Sequence, residues 1–181
     1  MARPYQAPWL ECKAERVLGK AEMQRAGRGF PAHRLIDEHG GVLAELGAFS
    51  WFSIYLGRGQ RVRLPDGTRW RIRSRSRFST IAPVIVDSEG RKVAEAAHGY
   101  KNYGINGRDY AYALNPDEKR RFRARRWTLR HHETTVATVG RQPRAVDAAE
   151  PIPLAVVLMS FVLIQFGIPG EEELAVPAQY A

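Results

Sequence analysis

Along most of the chain the apolar residues come in short runs, many of them alternating with polar ones, and each run stops at a cluster of Asp, Asn, Pro or Gly. That pattern predicts strands joined by tight turns, because a strand presents alternate side chains to opposite faces. Leu35-Ile36 runs into Asp37-Glu38-His39-Gly40, and Val42–Leu46 leaves it. Val84–Val86 runs into Asp87-Ser88-Glu89-Gly90, and Val93–Ala96 leaves it. The two modules align with Asp37 on Asp87, Gly40 on Gly90, Ala44 on Ala94 and Glu45 on Glu95. In such turns an Asp carboxylate bonds downstream amides, and Gly accepts the positive φ that returns the chain.

Further hairpins follow the same plan. Val62–Leu64 passes through Pro65-Asp66-Gly67 into Trp70–Arg73, and Trp127–Leu129 turns near His132-Glu133 into Val136–Val139. Tyr110–Leu114 passes through Asn115-Pro116-Asp117 into a basic strand around Phe122. With Phe49–Tyr55 and a first strand at Glu15–Leu18, roughly ten to twelve strands are expected. Hairpins joined by short links predict an antiparallel meander. Within 69–78, Arg69, Arg71, Arg73, Arg75 and Arg77 alternate with Trp70, Ile72, Ser74, Ser76 and Phe78. As a strand, this segment puts all five guanidinium groups on one face and leaves the other able to meet a core.

The C-terminal part breaks the pattern. Residues 140–153 carry Pro143, Pro151 and Pro153 and are expected to form a loop. Leu154–Ile168 carries no charge, and Pro169-Gly170 stops it. A helix of that length spans about 22 Å, short of a hydrocarbon layer of about 30 Å. A helix apolar on every side must be surrounded on every side, and in a small β protein the inside of a closed barrel does that. A C-terminal membrane anchor is the alternative. Residues 14–170 are expected to form a single domain, with an N-terminal extension at 1–13 and a tail at 171–181.

Charge sharpens the picture. The chain has 181 residues and a net charge of +9, but the excess is concentrated. Segment 58–77 holds eight arginines against Asp66, and segment 119–130 holds Lys119 and six arginines with no acid. Each is a net +7, and the remainder is mildly acidic. Such asymmetry points to an anionic partner. The excess of Arg over Lys suits two-point contacts with phosphate oxygens. The bland alternative is a solvated arginine face.

Other chemistry is sparse. Cys12 is the sole cysteine, so neither a disulfide framework nor a cysteine-based metal cluster is expected, and a reducing cytoplasm fits. His131 and His132 are adjacent and would point to opposite faces of a strand. There is no nucleophile elbow, phosphate-binding Gly-Lys loop or His-Glu-x-x-His sequence. Asp37, Asp66 and Asp87 each have a turn role, so no catalytic residue, metal ligand or cofactor is assigned. Trp70, Phe78 and Trp127 are expected in the core, and Tyr100 and Tyr103 at the surface.

Strand–turn–strand modules with Asp-x-x-Gly turns, followed by one wholly apolar helix, resemble the tubby-like superfamily. The residues that carry this are 35–40, 84–90 and 154–168, and the closest likeness is to LURP-one-related and phospholipid-scramblase-like proteins. The resemblance covers about residues 14–170 and implies a closed antiparallel barrel of twelve strands around the C-terminal helix. Members of that superfamily include phosphoinositide-binding and membrane-associated proteins. No binding motif of the family matches residue by residue, and no acidic cluster resembles a calcium site.

The function these features favour is a non-enzymatic binding or scaffold module, peripheral to a membrane, whose basic face meets anionic phospholipid headgroups. Arg69, Arg71, Arg73, Arg75, Arg77, Arg121, Arg123 and Arg125 are the candidate anion-binding residues. The two basic stretches are expected to share one side of the barrel. Nucleic-acid binding through the same strands is the alternative, as is a structural protein anchored by its C-terminal helix.

Overall fold

In a computed structural model, residues 16–48, 59–74, 83–98, 102–117 and 125–166 are described. They form β1 (Arg16–Arg25), β2 (His33–Asp37), β3 (Val42–Leu46), β4 (Gln60–Arg63), β5 (Arg69–Ser74) and β6 (Pro83–Asp87). Then come β7 (Lys92–His98), β8 (Tyr103–Asn106), β9 (Ala111–Pro116), β10 (Arg126–His131), β11 (Thr134–Gly140) and β12 (Ala145–Pro153). The helix α1 (Leu154–Phe166) follows. Each strand pairs antiparallel with the next in the chain, and β12 returns to β1, so the sheet is a closed barrel of twelve strands. Closure leaves no sheet edge exposed.

Alternation decides what lies inside. On β4 and β5 the inward residues Val62, Trp70 and Ile72 are buried, whereas Arg61, Arg63, Arg69, Arg71 and Arg73 are exposed. The same period-two pattern recurs on β8, β9 and β10, where Ile105, Leu114 and Leu129 are wholly buried.

Three hairpins carry one device. In β2–β3, β6–β7 and β10–β11 a fully buried aliphatic residue (Leu35, Ile85, Leu129) stands opposite an alanine (Ala44, Ala94, Ala137). In each, the register then shifts by one residue. Such bulges bend a strand and increase its twist, and here they recur every fourth strand around the ring. The turn carboxylates confirm the expected module match. Asp37 Oδ1 accepts from the amides of His39 (2.9 Å) and Gly41 (2.7 Å), and Asp87 Oδ1 from those of Glu89 (3.0 Å) and Arg91 (2.7 Å). Gly40 and Gly90 follow at φ 84° and 83°.

The helix fills the barrel. Residues 154–164 are all buried, and α1 packs against β1, β6, β7, β8 and β12. Its one interior hydroxyl, Ser160 Oγ, donates to the Val156 carbonyl at 2.8 Å, so that hydroxyl is satisfied. The segment that a membrane anchor would require is thus enclosed by strands. Among the described residues no helix is long and apolar enough to cross a membrane.

Several expectations need correction. Residues 145–153 are a strand and not a loop: β12 pairs with β1 on one side and β11 on the other. Pro151 falls where the β1–β12 register slips between Val17 and Gly19, and both Pro151 and Pro153 lie beyond Ala148, the last β12 residue in register with β11, so that side makes no demand on their missing amides. Tyr103 is 1% exposed, because it belongs to β8 and points inward beside Trp127, with ring centroids 5.7 Å apart. The strands expected at 49–55 and around Phe122, and the helix beyond Phe166, lie outside the described residues.

Candidate functional site: an arginine face on the barrel wall

The β4–β5 hairpin is built around its turn. The Leu64 amide donates to the Thr68 carbonyl at 2.9 Å, and the Gly67 amide to the Leu64 carbonyl at 3.0 Å. Asp66 accepts from both the amide and the hydroxyl of Thr68 at 2.8 Å, which holds its carboxyl below the usual range. The resulting register sets Arg61 opposite Arg71 and Arg63 opposite Arg69. Like charges directly opposed across two strands are destabilising unless something else relieves them.

Relief is partial. Glu45 on β3 takes Arg34 Nε at 3.2 Å and Arg63 Nε at 2.8 Å, with a second, very close contact from Arg63 Nη2. Those bonds hold the Glu45 carboxyl below its ordinary range. Arg63 also lies over the Phe30 ring, 5.4 Å from its centroid. Arg61, Arg69, Arg71 and Arg73 meet no carboxylate among the described residues. Burial, then the neighbouring Arg71 charge, push the Arg73 guanidinium below its ordinary value. Beside them on β6, Val84 and Val86 stand opposite Arg73 and Arg71 and are buried, so they add nothing to the exposed face. Gly59, at φ 70°, leaves room for the Arg71 stem: a Cβ there would stand 2.7 Å from Arg71 Cγ.

Of the expected anion-binding residues, Arg69, Arg71 and Arg73 are exposed on the outer face of β5. Arg125 is exposed where the chain enters β10. Arg75, Arg77, Arg121 and Arg123 lie outside the described residues. The described parts of the two basic stretches do not share a side. Four strands separate β5 from β10 in one direction and six in the other. A pure meander lays strands around the ring in chain order, so segments five strands apart fall nearly opposite. The arginines that do join β5 are Arg61 and Arg63 of β4, with Arg34 beyond Glu45. The alternation Gln60-Arg61-Val62-Arg63 carried that signal.

Elsewhere the surface is mixed. A groove of about 680 Å³ crosses β10–β12 and β1–β2, where Lys20, Arg125 and Arg126 share the lining with Glu22, Glu38 and Asp147. His131 and His132 were expected on opposite faces, yet their ring centroids are 4.4 Å apart. The cause is the turn: His132 sits at φ 53°, which folds its ring back onto His131. Among the described residues no group of three or more His, Cys, Asp or Glu could hold a metal ion. Comparison with protein-family models, curated proteins and solved structures finds no match for this chain.

Proposed function

We propose that this barrel is a non-enzymatic binding module whose β4–β5 face docks on anionic phospholipid headgroups, as a peripheral member of the tubby-like barrels. One observation carries the reading: Arg61, Arg69, Arg71 and Arg73 project from two adjacent strands with no carboxylate among the described residues to relieve them. Keeping such charges together costs self-repulsion that a phosphate-bearing surface removes. Guanidinium forks suit phosphate oxygens. The twelve antiparallel strands around an apolar helix agree with the family layout.

Nucleic acid is the weaker occupant. Single-strand binders need rings on which bases stack, and Trp70 on the same strand points into the core at 3% exposure.

The test is co-sedimentation with phosphatidylserine-containing and pure phosphatidylcholine vesicles. Wild type should pellet only with the anionic vesicles, and less as salt rises. At about 1 kcal/mol per basic residue, Arg71→Gln/Arg73→Gln should bind about thirtyfold more weakly. Equal pelleting of both proteins, or tighter binding of wild type to a single-stranded oligonucleotide at the same salt, defeats the reading.

A further inference from the structure

The 26–32 connection between β1 and β2 is held at its base by backbone bonds. The Ala26 and Gly27 amides donate to the Ala32 carbonyl at 2.8 and 3.3 Å, and the Ala32 amide donates to the Leu46 carbonyl at 2.8 Å. Ala32 is buried there, whereas residues 26–30 are exposed. Phe30 keeps 41% of its surface in solvent, although an aromatic ring has more to gain from burial than most side chains.

This ring borders the arginine face. It lies against β3 at Gly47, where a Cβ would stand 3.9 Å from Phe30 Cδ2. The Gly47 amide donates to the Arg61 carbonyl at 2.9 Å, so the ring sits one strand across from Arg61. Arg63, held by Glu45, lies over the ring with its guanidinium 5.4 Å from the centroid. Arg28, in the same connection, is exposed as well. The other exposed large apolar residues among those described, Leu18 and Val42, lie toward the opposite end of the barrel. Single exposed apolar residues are ordinary on a protein surface. Phe30 differs in being paired with a cation at the margin of an arginine-rich face.

Resting on the reading of β4–β5 as a lipid-docking face, we infer that Phe30 is the apolar anchor of that face. On an anionic bilayer its ring enters the boundary between headgroups and acyl chains, while the neighbouring guanidinium groups hold phosphates. Aromatic rings concentrate at that depth, and an arginine there buries its stem and keeps its charged end among the headgroups. Acyl chains need only the exposed edge of the ring. A nucleic-acid base stacks on an open ring face, and Arg63 already lies over this ring.

The test compares wild type, Phe30→Ala and Phe30→Trp on phosphatidylserine-containing vesicles. Covering the exposed part of the ring is worth about tenfold in binding, so Phe30→Ala should bind about tenfold more weakly. That contribution is apolar, so the ratio should hold as salt rises, whereas the loss caused by Arg71→Gln/Arg73→Gln should shrink. Phe30→Trp should bind at least as tightly as wild type. Its added emission should shift to the blue on the vesicles and be quenched by lipid brominated on the acyl chains. Phe30→Trp carries the test alone should Phe30→Ala fail to fold. Undiminished binding by Phe30→Ala, or added emission from Phe30→Trp that stays unquenched, overturns the anchor and leaves the arginine face standing, provided wild type still pellets with the anionic vesicles. Loss of single-stranded oligonucleotide binding but not of vesicle binding in Phe30→Ala also overturns it. A wild type that ignores anionic vesicles overturns both readings.

Discussion

Cutting Leu158 of α1 back to alanine tests how the helix holds the barrel together. Leu158 is 0% exposed and lies near the middle of a helix enclosed by β1, β6, β7, β8 and β12. Leu→Ala at buried sites costs about 2.7–5.0 kcal/mol, with the spread set by how far the surroundings collapse into the space. A ring of twelve hydrogen-bonded strands cannot move inward at one point without breaking its own ladder, so the cost should fall high in that range, about 4 kcal/mol. Leu18, 59% exposed on the outer face of β1, is the control, and Leu18→Ala should change stability by no more than about 0.5 kcal/mol. Urea unfolding of both variants reads the difference. With a slope of about 2 kcal/mol/M, the Leu158→Ala midpoint should fall by about 2 M while the slope stays constant. A loss below about 1.5 kcal/mol, or one equal to that of Leu18→Ala, would show that the helix is not the packed centre of the barrel. Leu158→Lys, which buries an unpaired charge, should yield no folded protein at all.

Other consequences follow from single residues. Glu45→Gln removes the carboxylate that pairs with Arg34 and Arg63, so binding to anionic vesicles should strengthen about fivefold; unchanged or weaker binding would contradict the assigned face. His33 has a folded-state pKa below 6.5, so below that pH the unfolded chain binds the extra proton first. Stability should therefore be level above about pH 6.5 and decline as the pH falls toward the folded value, and His33→Asn should flatten that decline in urea titrations at stepped pH. Gly67 and Gly59 both have positive φ, but only Gly59 would also drive a Cβ to 2.8 Å from the Ile72 carbonyl. Gly67→Ala should cost about 1 kcal/mol and Gly59→Ala clearly more, measured by thermal melting.

The strands were legible wherever alternation was regular. Trp70 and Ile72 against Arg69, Arg71 and Arg73 leave one arrangement, and the turns at Asp37, Asp66 and Asp87 carry their own hydrogen-bond chemistry. β12 was hidden because its prolines argue against a ladder; room for them comes from the end of the β11 register at Ala148 and, for Pro151, from the slip in pairing with β1. β8 was hidden because Gly104 and the Gly99-Tyr100 stretch before it mimic a loop, whereas the inward position of Tyr103 is set by its partner Leu114. The site was half legible. Five arginines at alternating positions announce a face, but which strands flank it depends on ring order. Arg25 and His33 come together with Arg141 and Arg144 from more than a hundred positions away, and no local pattern encodes that meeting.

The central claim concerns which side of the barrel meets a membrane. Paramagnetic broadening by headgroup-labelled lipid in phosphatidylserine-containing nanodiscs, read at assigned amides and arginine Nε–H groups, tests it most directly. The account predicts the strongest broadening at Arg61, Arg69, Arg71 and Arg73 and little at Ala113 and Thr128 on β9 and β10. Broadening centred on β9 and β10, or spread evenly around the ring, would contradict it.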